Sequence, residues 1–294
     1  MMATNSVATT LTNYQPTDAQ VRAFMDDWYD SIEAMGWTQS DDLNQLDRST
    51  VTWADLSSSP YQIHYMDDAY HSTAPCYLKT IWRSYSTNYF GMTMWVASAT
   101  TGLGAVVAPS CTSTNTTTTG NKNGTHAIHT TWAADKYSGI FLEYPGTTAN
   151  SLIESQFGFF FSRLTDANGD PTGDGWTMYF HSTGSNPAPM CVWDDADGTC
   201  EYNYTYTSGY GPSGRMNSTG RPEIYRHWAT LETEWRLVPY AFSVDASAVP
   251  IGGELDVAIA GANFGKHTYR RVFDLGYKWS AQQSSSHALM TIWE

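Results

Sequence analysis

Tyr77-Leu78-Lys79-Thr80-Ile81-Trp82-Arg83-Ser84-Tyr85 decides the reading of this chain. Leu78, Thr80 and Trp82 fall on one side of an extended backbone, and Tyr77, Lys79, Ile81 and Arg83 on the other. Such period-two alternation is the signature of a half-buried strand. The stretch before it, Tyr61-Gln62-Ile63-His64-Tyr65-Met66, alternates in the same way, and Phe90-Gly91-Met92-Thr93-Met94-Trp95-Val96 follows as a third run. Short strands in succession with turns between them predict an antiparallel meander with one wet face.

The same texture extends in both directions. Thr50–Trp53 precedes these runs, and Ala127–Trp132 and Ser138–Tyr144 follow. Phe157–Leu164 and Trp176–His181 read as a hairpin around Thr165-Asp166-Ala167-Asn168-Gly169-Asp170-Pro171. Near the C-terminus, Leu255–Ala260 and Ala288–Trp293 alternate again. One segment departs from this pattern. Val21, Phe24, Met25, Trp28, Ile32 and Met35 recur at helical spacing, with Asp and Arg between them. Thr17 followed three residues later by Gln20 forms a capping box, and Gly36 supplies the stop. The expected fold is mainly β, with an antiparallel β-sandwich-like core and one N-terminal amphipathic helix over 17–35. Residues 1–16 are expected as a flexible arm. Residues 17–294 are expected as a single β-rich domain with long loops at 109–125 and 182–222.

Composition narrows the function classes. Charged residues make up 15% of the 294, against roughly 25% in ordinary soluble domains, and Ser, Thr, Asn, Gly and Tyr carry the polarity instead. The net charge of −14, with no dense cluster of Lys and Arg, argues against nucleic acid as a partner. No apolar run approaches the roughly 18 residues of a membrane span, so no membrane insertion is expected. Met1–Thr12 has neither a basic region nor an apolar one, which points to synthesis and assembly in the cytoplasm of the producing cell. Aromatics reach 14%, a level suited to interfaces as well as cores.

Catalytic and metal motifs are sparse. There is no G-x-S-x-G, P-loop, H-E-x-x-H or dinucleotide fingerprint, so the chain reads as a non-enzyme with no cofactor. Asp166, Asn168 and Asp170 begin like a calcium loop, but Pro171 stands where the pattern needs Gly and Thr177 where it needs Glu. A turn using Asp, Asn and Gly for local bonds is the better reading, and no metal site is expected. Cys191 and Cys200 flank Asp194-Asp195-Ala196-Asp197-Gly198 and are candidates to meet across a hairpin. Free buried thiols are the expectation for a chain folded in a reducing cell. Trp193, Tyr202, Tyr204, Tyr206 and Tyr210 form the candidate interaction surface, either as packing between subunits or as a face for a host-surface glycan.

Several phrases carry a likeness to a known family. They are Met35-Gly36-Trp37-Thr38 at the helix end, Asp42-Leu43-Asn44-Gln45-Leu46-Asp47 before Ser49-Thr50-Val51, and Tyr61–Asp67 leading into Ser72-Thr73-Ala74-Pro75-Cys76-Tyr77-Leu78-Lys79. Thr101-Gly102-Leu103-Gly104, Thr165–Gly169 and His287–Glu294 add to them. In these the chain resembles a family of tailed-bacteriophage virion structural proteins of the minor tail type. The resemblance implies a multi-copy structural component of a virion. It would be tail-associated, in contact with itself and other virion proteins, and a contributor to host-surface contact. The alternatives are a head decoration or head-fibre protein and, in another class, a carbohydrate-binding adhesin.

Overall fold

The computed structural model describes residues 3–12, 16–86, 89–112, 116–117, 125–134, 136–145, 157–165, 170–182, 189–194, 199–204, 225–231, 234–245, 254–258, 266–275 and 287–292. In chain order the first elements are β1 (Ala3–Thr12), α1 (Asp18–Ala34), β2 (Trp37–Gln39), β3 (Tyr61–Met66), β4 (Tyr77–Ser86), β5 (Tyr89–Thr100), β6 (Val106–Thr112) and β7 (Thr116–Thr117). Next come β8 (Thr125–Ala134), β9 (Ser138–Pro145), β10 (Phe157–Thr165), β11 (Pro171–Ser182), β12 (Pro189–Asp194) and β13 (Thr199–Tyr204). The last are β14 (Tyr225–Leu231), β15 (Glu234–Asp245), β16 (Glu254–Ala258), β17 (Lys266–Leu275) and β18 (His287–Ile292).

These strands make three antiparallel sheets. One has the order β2-β3-β4-β5-β6, with β7 paired to β5; a second runs β1-β8-β9-β10-β11-β12-β13; a third runs β14-β15-β18-β17-β16. The first two enclose the core in a sandwich-like arrangement. Leu78 and Trp82 of β4 and Met92, Met94 and Val96 of β5 share one buried cluster with Trp132, Phe141, Phe159, Phe161, Trp176 and Met178 of the second sheet. The alternation read in Tyr77–Tyr85 thus becomes two faces, with Leu78, Thr80 and Trp82 buried and Tyr77, Lys79, Ile81 and Arg83 half-buried on the far side. The third sheet meets the second at β9 and β10.

Helix α1 closes the sandwich. Its capping box is formed as the sequence demands, with the Thr17 hydroxyl accepting from the Gln20 N–H and the Gln20 side chain accepting from the Thr17 N–H. The chain leaves the helix through Gly36 at φ +93°, a conformation costly for any residue with a Cβ. Val21, Phe24, Met25, Trp28, Tyr29 and Ile32 are fully buried. Trp28 bridges the layers edge-on, 5.8 Å from Trp82 on one sheet and 4.3 Å from Phe141 on the other, measured between ring centroids. Aromatic pairs of this geometry add about 0.5–1.5 kcal/mol beyond burial alone. Gly139 on β9 leaves room for the Phe161 ring of β10, which a Cβ would meet at 2.7 Å.

Three expectations change. Within residues 1–16, expected as a loose arm, Ala3–Thr12 is strand β1, paired to β8 in continuous register from Ala3↔Ala134 to Thr12↔Thr125. The edge of β8 offers a ladder, and a run of Thr, Val and small residues suits a pleated backbone. The expected loop at 109–125 contains the end of β6 and all of β7. The expected loop at 182–222 contains the hairpin β12–β13. Pro, Gly and Asn in those segments masked short runs whose strand character comes from cross-strand partners rather than from their own alternation.

Candidate functional site

Polar chemistry concentrates at three junctions. The first joins α1 to the first sheet. His64 of β3 is buried at 1% exposure with its ring stacked on Tyr29 of α1, centroids 5.2 Å apart and planes 15° from parallel. Its Nε2 lies 3.4 Å from Glu33 Oε1. Arg48 reaches in from the loop after β2, pairing with the same Glu33 oxygen at 2.9 Å and with Asp30 at 2.8 Å, and its guanidinium sits over the Tyr29 ring. The Trp82 indole N–H donates to the Tyr29 hydroxyl at 2.7 Å. Burial pushes the His64 pKa down, partly offset by Glu33, while the hydrogen bond from His64 and the nearby Arg48 hold the Glu33 carboxyl below its usual value. Burial also drives the Tyr29 phenol well up. His64, Glu33, Tyr29 and Arg48 each face another member of the group, so the cluster fastens the helix to the sheet.

The second junction is a cap over the outer face of the first sheet. Asp42 is buried between the segment after β2 and the β5–β6 turn. Its Oδ2 accepts from Ser40 at 2.8 Å and Thr100 at 2.9 Å, and its Oδ1 accepts from the Gly104 N–H at 3.0 Å. Lys79 donates to the Gly104 carbonyl with its ammonium 4.1 Å from the Tyr61 ring centre, and burial lowers its pKa. The Tyr61 hydroxyl donates to the Leu43 carbonyl at 2.7 Å. The cap carries Leu43 at 59% and Leu103 at 66% exposure, with Val107 of β6 at 38% close by in sequence. These are the large exposed apolar side chains among the described residues.

The third junction ties the loop between β3 and β4 to the second sheet. Arg163 of β10, fully enclosed, donates from Nε and Nη2 to the two Asp68 oxygens, each at 2.8 Å, and from Nη1 to the Ala74 carbonyl. Trp176 donates to the Pro75 carbonyl at 2.9 Å and the Tyr70 hydroxyl to the Pro171 carbonyl at 3.0 Å. This bidentate pair fastens the β3–β4 loop to the second sheet.

The residues singled out by sequence fare differently. Trp193 on β12 and Tyr202 and Tyr204 on β13 come together on the edge hairpin, while Tyr206 and Tyr210 lie outside the described residues. Register aligns Trp193 with the buried Trp176, and Cys191 and Tyr202 with the buried Met178. Partners directly across a ladder share a face, so these positions fall on one face of the sheet. Cys191 stands opposite Tyr202 and Cys200 opposite Trp193, one diagonal step from a directly opposed pair. Asp166 and Asn168 lie outside the described residues, and Asp170 is exposed at the start of β11. Among the described residues no group of three or more His, Cys, Asp or Glu is placed to hold a metal, and no helix is long and apolar enough to cross a membrane.

Sequence reasoning missed the roles of Asp42, Asp68 and Arg163. Asp68 and Arg163 are 95 residues apart, and no local pattern marks them as partners. Comparison with known proteins adds no relative: no family model, no curated protein and no solved structure matches the chain.

Proposed function

We propose that the chain is a multi-copy structural component of a tailed-phage virion, tail-associated, with head decoration as the neighbouring alternative. The observation that carries this reading is the exposed apolar cap. Leu43 and Leu103 project from segments that buried Asp42 ties together through Thr100 and Gly104. Solvent-facing leucines on a well-ordered support suit a contact between proteins better than a freely solvated surface. The phrases that resemble virion proteins include both cap segments, Asp42–Asp47 and Thr101–Gly104. A sheet-built chain rich in aromatics and sparing in charged residues, 15% of the whole, also suits symmetric packing, where one patch is repeated in every copy.

Light scattering and electron microscopy of the purified full chain test the reading. A closed assembly of defined copy number supports it, and the symmetry separates tail from head. Binding to a glycan array by a monomeric chain, with no antibody label on phage particles from the producing cell, replaces it with the adhesin.

A further inference from the structure

The three sheets have six outer edges among the described elements, and five of them are guarded. Strand β2 is three residues long, and the segment after it bonds back to β3 through Ser40 and Leu46. Strand β6 carries Pro109 and lies against β13, which carries Glu201. Strand β14 contains Arg226 and His227 beside a register shift, and β16 places Glu254 and Asp256 in five residues. Charge, proline, brevity, irregularity and a covering neighbour are the usual devices against strand addition.

Strand β1 has none of the devices that its own sequence could supply, and α1, which touches it, packs on the core side of the sheet, where Trp28 meets Phe141, and adds no strand to its edge. Its ten residues, Ala-Thr-Asn-Ser-Val-Ala-Thr-Thr-Leu-Thr, contain no charge and no proline, and its ladder to β8 runs without a shift. No described strand pairs with its other edge.

We infer that the outer edge of β1 is a strand-pairing surface for a second copy of this chain, the two β1 strands running antiparallel across a two-fold axis and joining two seven-stranded sheets. A second copy fits better than an unrelated strand on charge grounds. The chain carries a net −14, so most approaches of two copies are repulsive. A neutral strip of ten residues is a place where two copies can meet with no like charges opposed. Antiparallel pairing about a two-fold is also self-complementary, because the axis sets the same strand against itself, and apart from Asn5 and Leu11 its residues are small or β-branched. A register that sets odd positions against odd positions keeps Asn5 and Val7, aligned with the buried Trp132 and Thr130, on the core side of the joined sheet. The inference deepens the building-block reading and rests on it for its biological sense.

The test uses the full chain. Ser6→Lys with Thr10→Lys places charges on the face of β1 opposite the core. The expected result is a wild-type dimer, or an assembly of dimers, whose self-association weakens at least tenfold in the double variant while Leu43→Ser with Leu103→Ser leaves the β1 dimer intact. A Lys variant that folds and keeps the wild-type mass overturns the inference, as does a wild-type chain that stays monomeric at all concentrations. If only the Leu43/Leu103 variant dissociates the assembly, copies meet through the cap; the building-block reading then survives and the β1 contact fails. Should the Lys variant misfold, hydrogen exchange on the wild-type chain decides: amides of residues 3–12 that point away from β8 gain protection with concentration if the inference holds, and exchange that does not vary with concentration overturns it.

Discussion

Tyr29 lies flat on His64, with ring planes 15° from parallel, and so one helix residue covers the buried imidazole that Glu33 approaches from the same helix. The stack keeps water from His64 and leaves it a single carboxylate partner. The consequence is a pH dependence whose sign follows from linkage. His64 has a folded pKa below its unfolded value of roughly 6.5, so its stability contribution is complete above that pH. It is lost as pH falls toward the folded pKa, because the unfolded chain binds the proton first. The lowered Glu33 adds a further loss as pH falls below its unfolded value toward its folded one. Thermal melts at pH 7.5 and 5.0 check this. His64→Phe keeps the stack and flattens the pH slope; burial and Arg163 also lower the His71 pKa, so part of the slope remains. A slope unchanged by His64→Phe contradicts the assignment.

Asp68→Asn leaves the enclosed Arg163 charge without its carboxylate. Breaking one side of a buried pair costs about 3–5 kcal/mol. Denaturant titration is expected to show a loss of that size. Asp68→Asn combined with Arg163→Met recovers much of it, because the buried charge is then gone.

Gly104→Ala strains the cap twice. Gly104 sits at φ +86°, and a Cβ there overlaps the Tyr61 hydroxyl. The backbone conformation alone costs a side chain about 1–2 kcal/mol. Amide exchange is expected to speed up across residues 101–105 and at Leu43, whose N–H donates to the Gly102 carbonyl, with little change in the second sheet.

Thr17→Ala removes the cap of α1 and half of its reciprocal box. The expected loss is about 1 kcal/mol, read as a lower denaturation midpoint with an unchanged denaturant slope. Thr17→Ser restores most of it, since the hydroxyl is what accepts from Gln20.

What the sequence determined by itself is what neighbours along the chain decide. The helix and its cap follow from Thr17, Gln20, Gly36 and an apolar stripe at helical spacing. The two faces of β4 follow from strict alternation, and the hairpin β10–β11 follows from two apolar runs around an Asp/Asn/Gly turn; β3 does not follow the rule, since Gln62, Ile63 and His64 are all buried. These are local signals, and they carry their own geometry. Strand order, the placing of Trp28 between two layers, the Arg163–Asp68 pair and the face that Trp193 shares with Trp176 depend on residues far apart in the chain. So does the strand character of Ala3–Thr12, which reads as a polar terminus until β8 provides a ladder. Cross-strand pairing and burial are properties of the assembled sheets, and only the tertiary structure sets them.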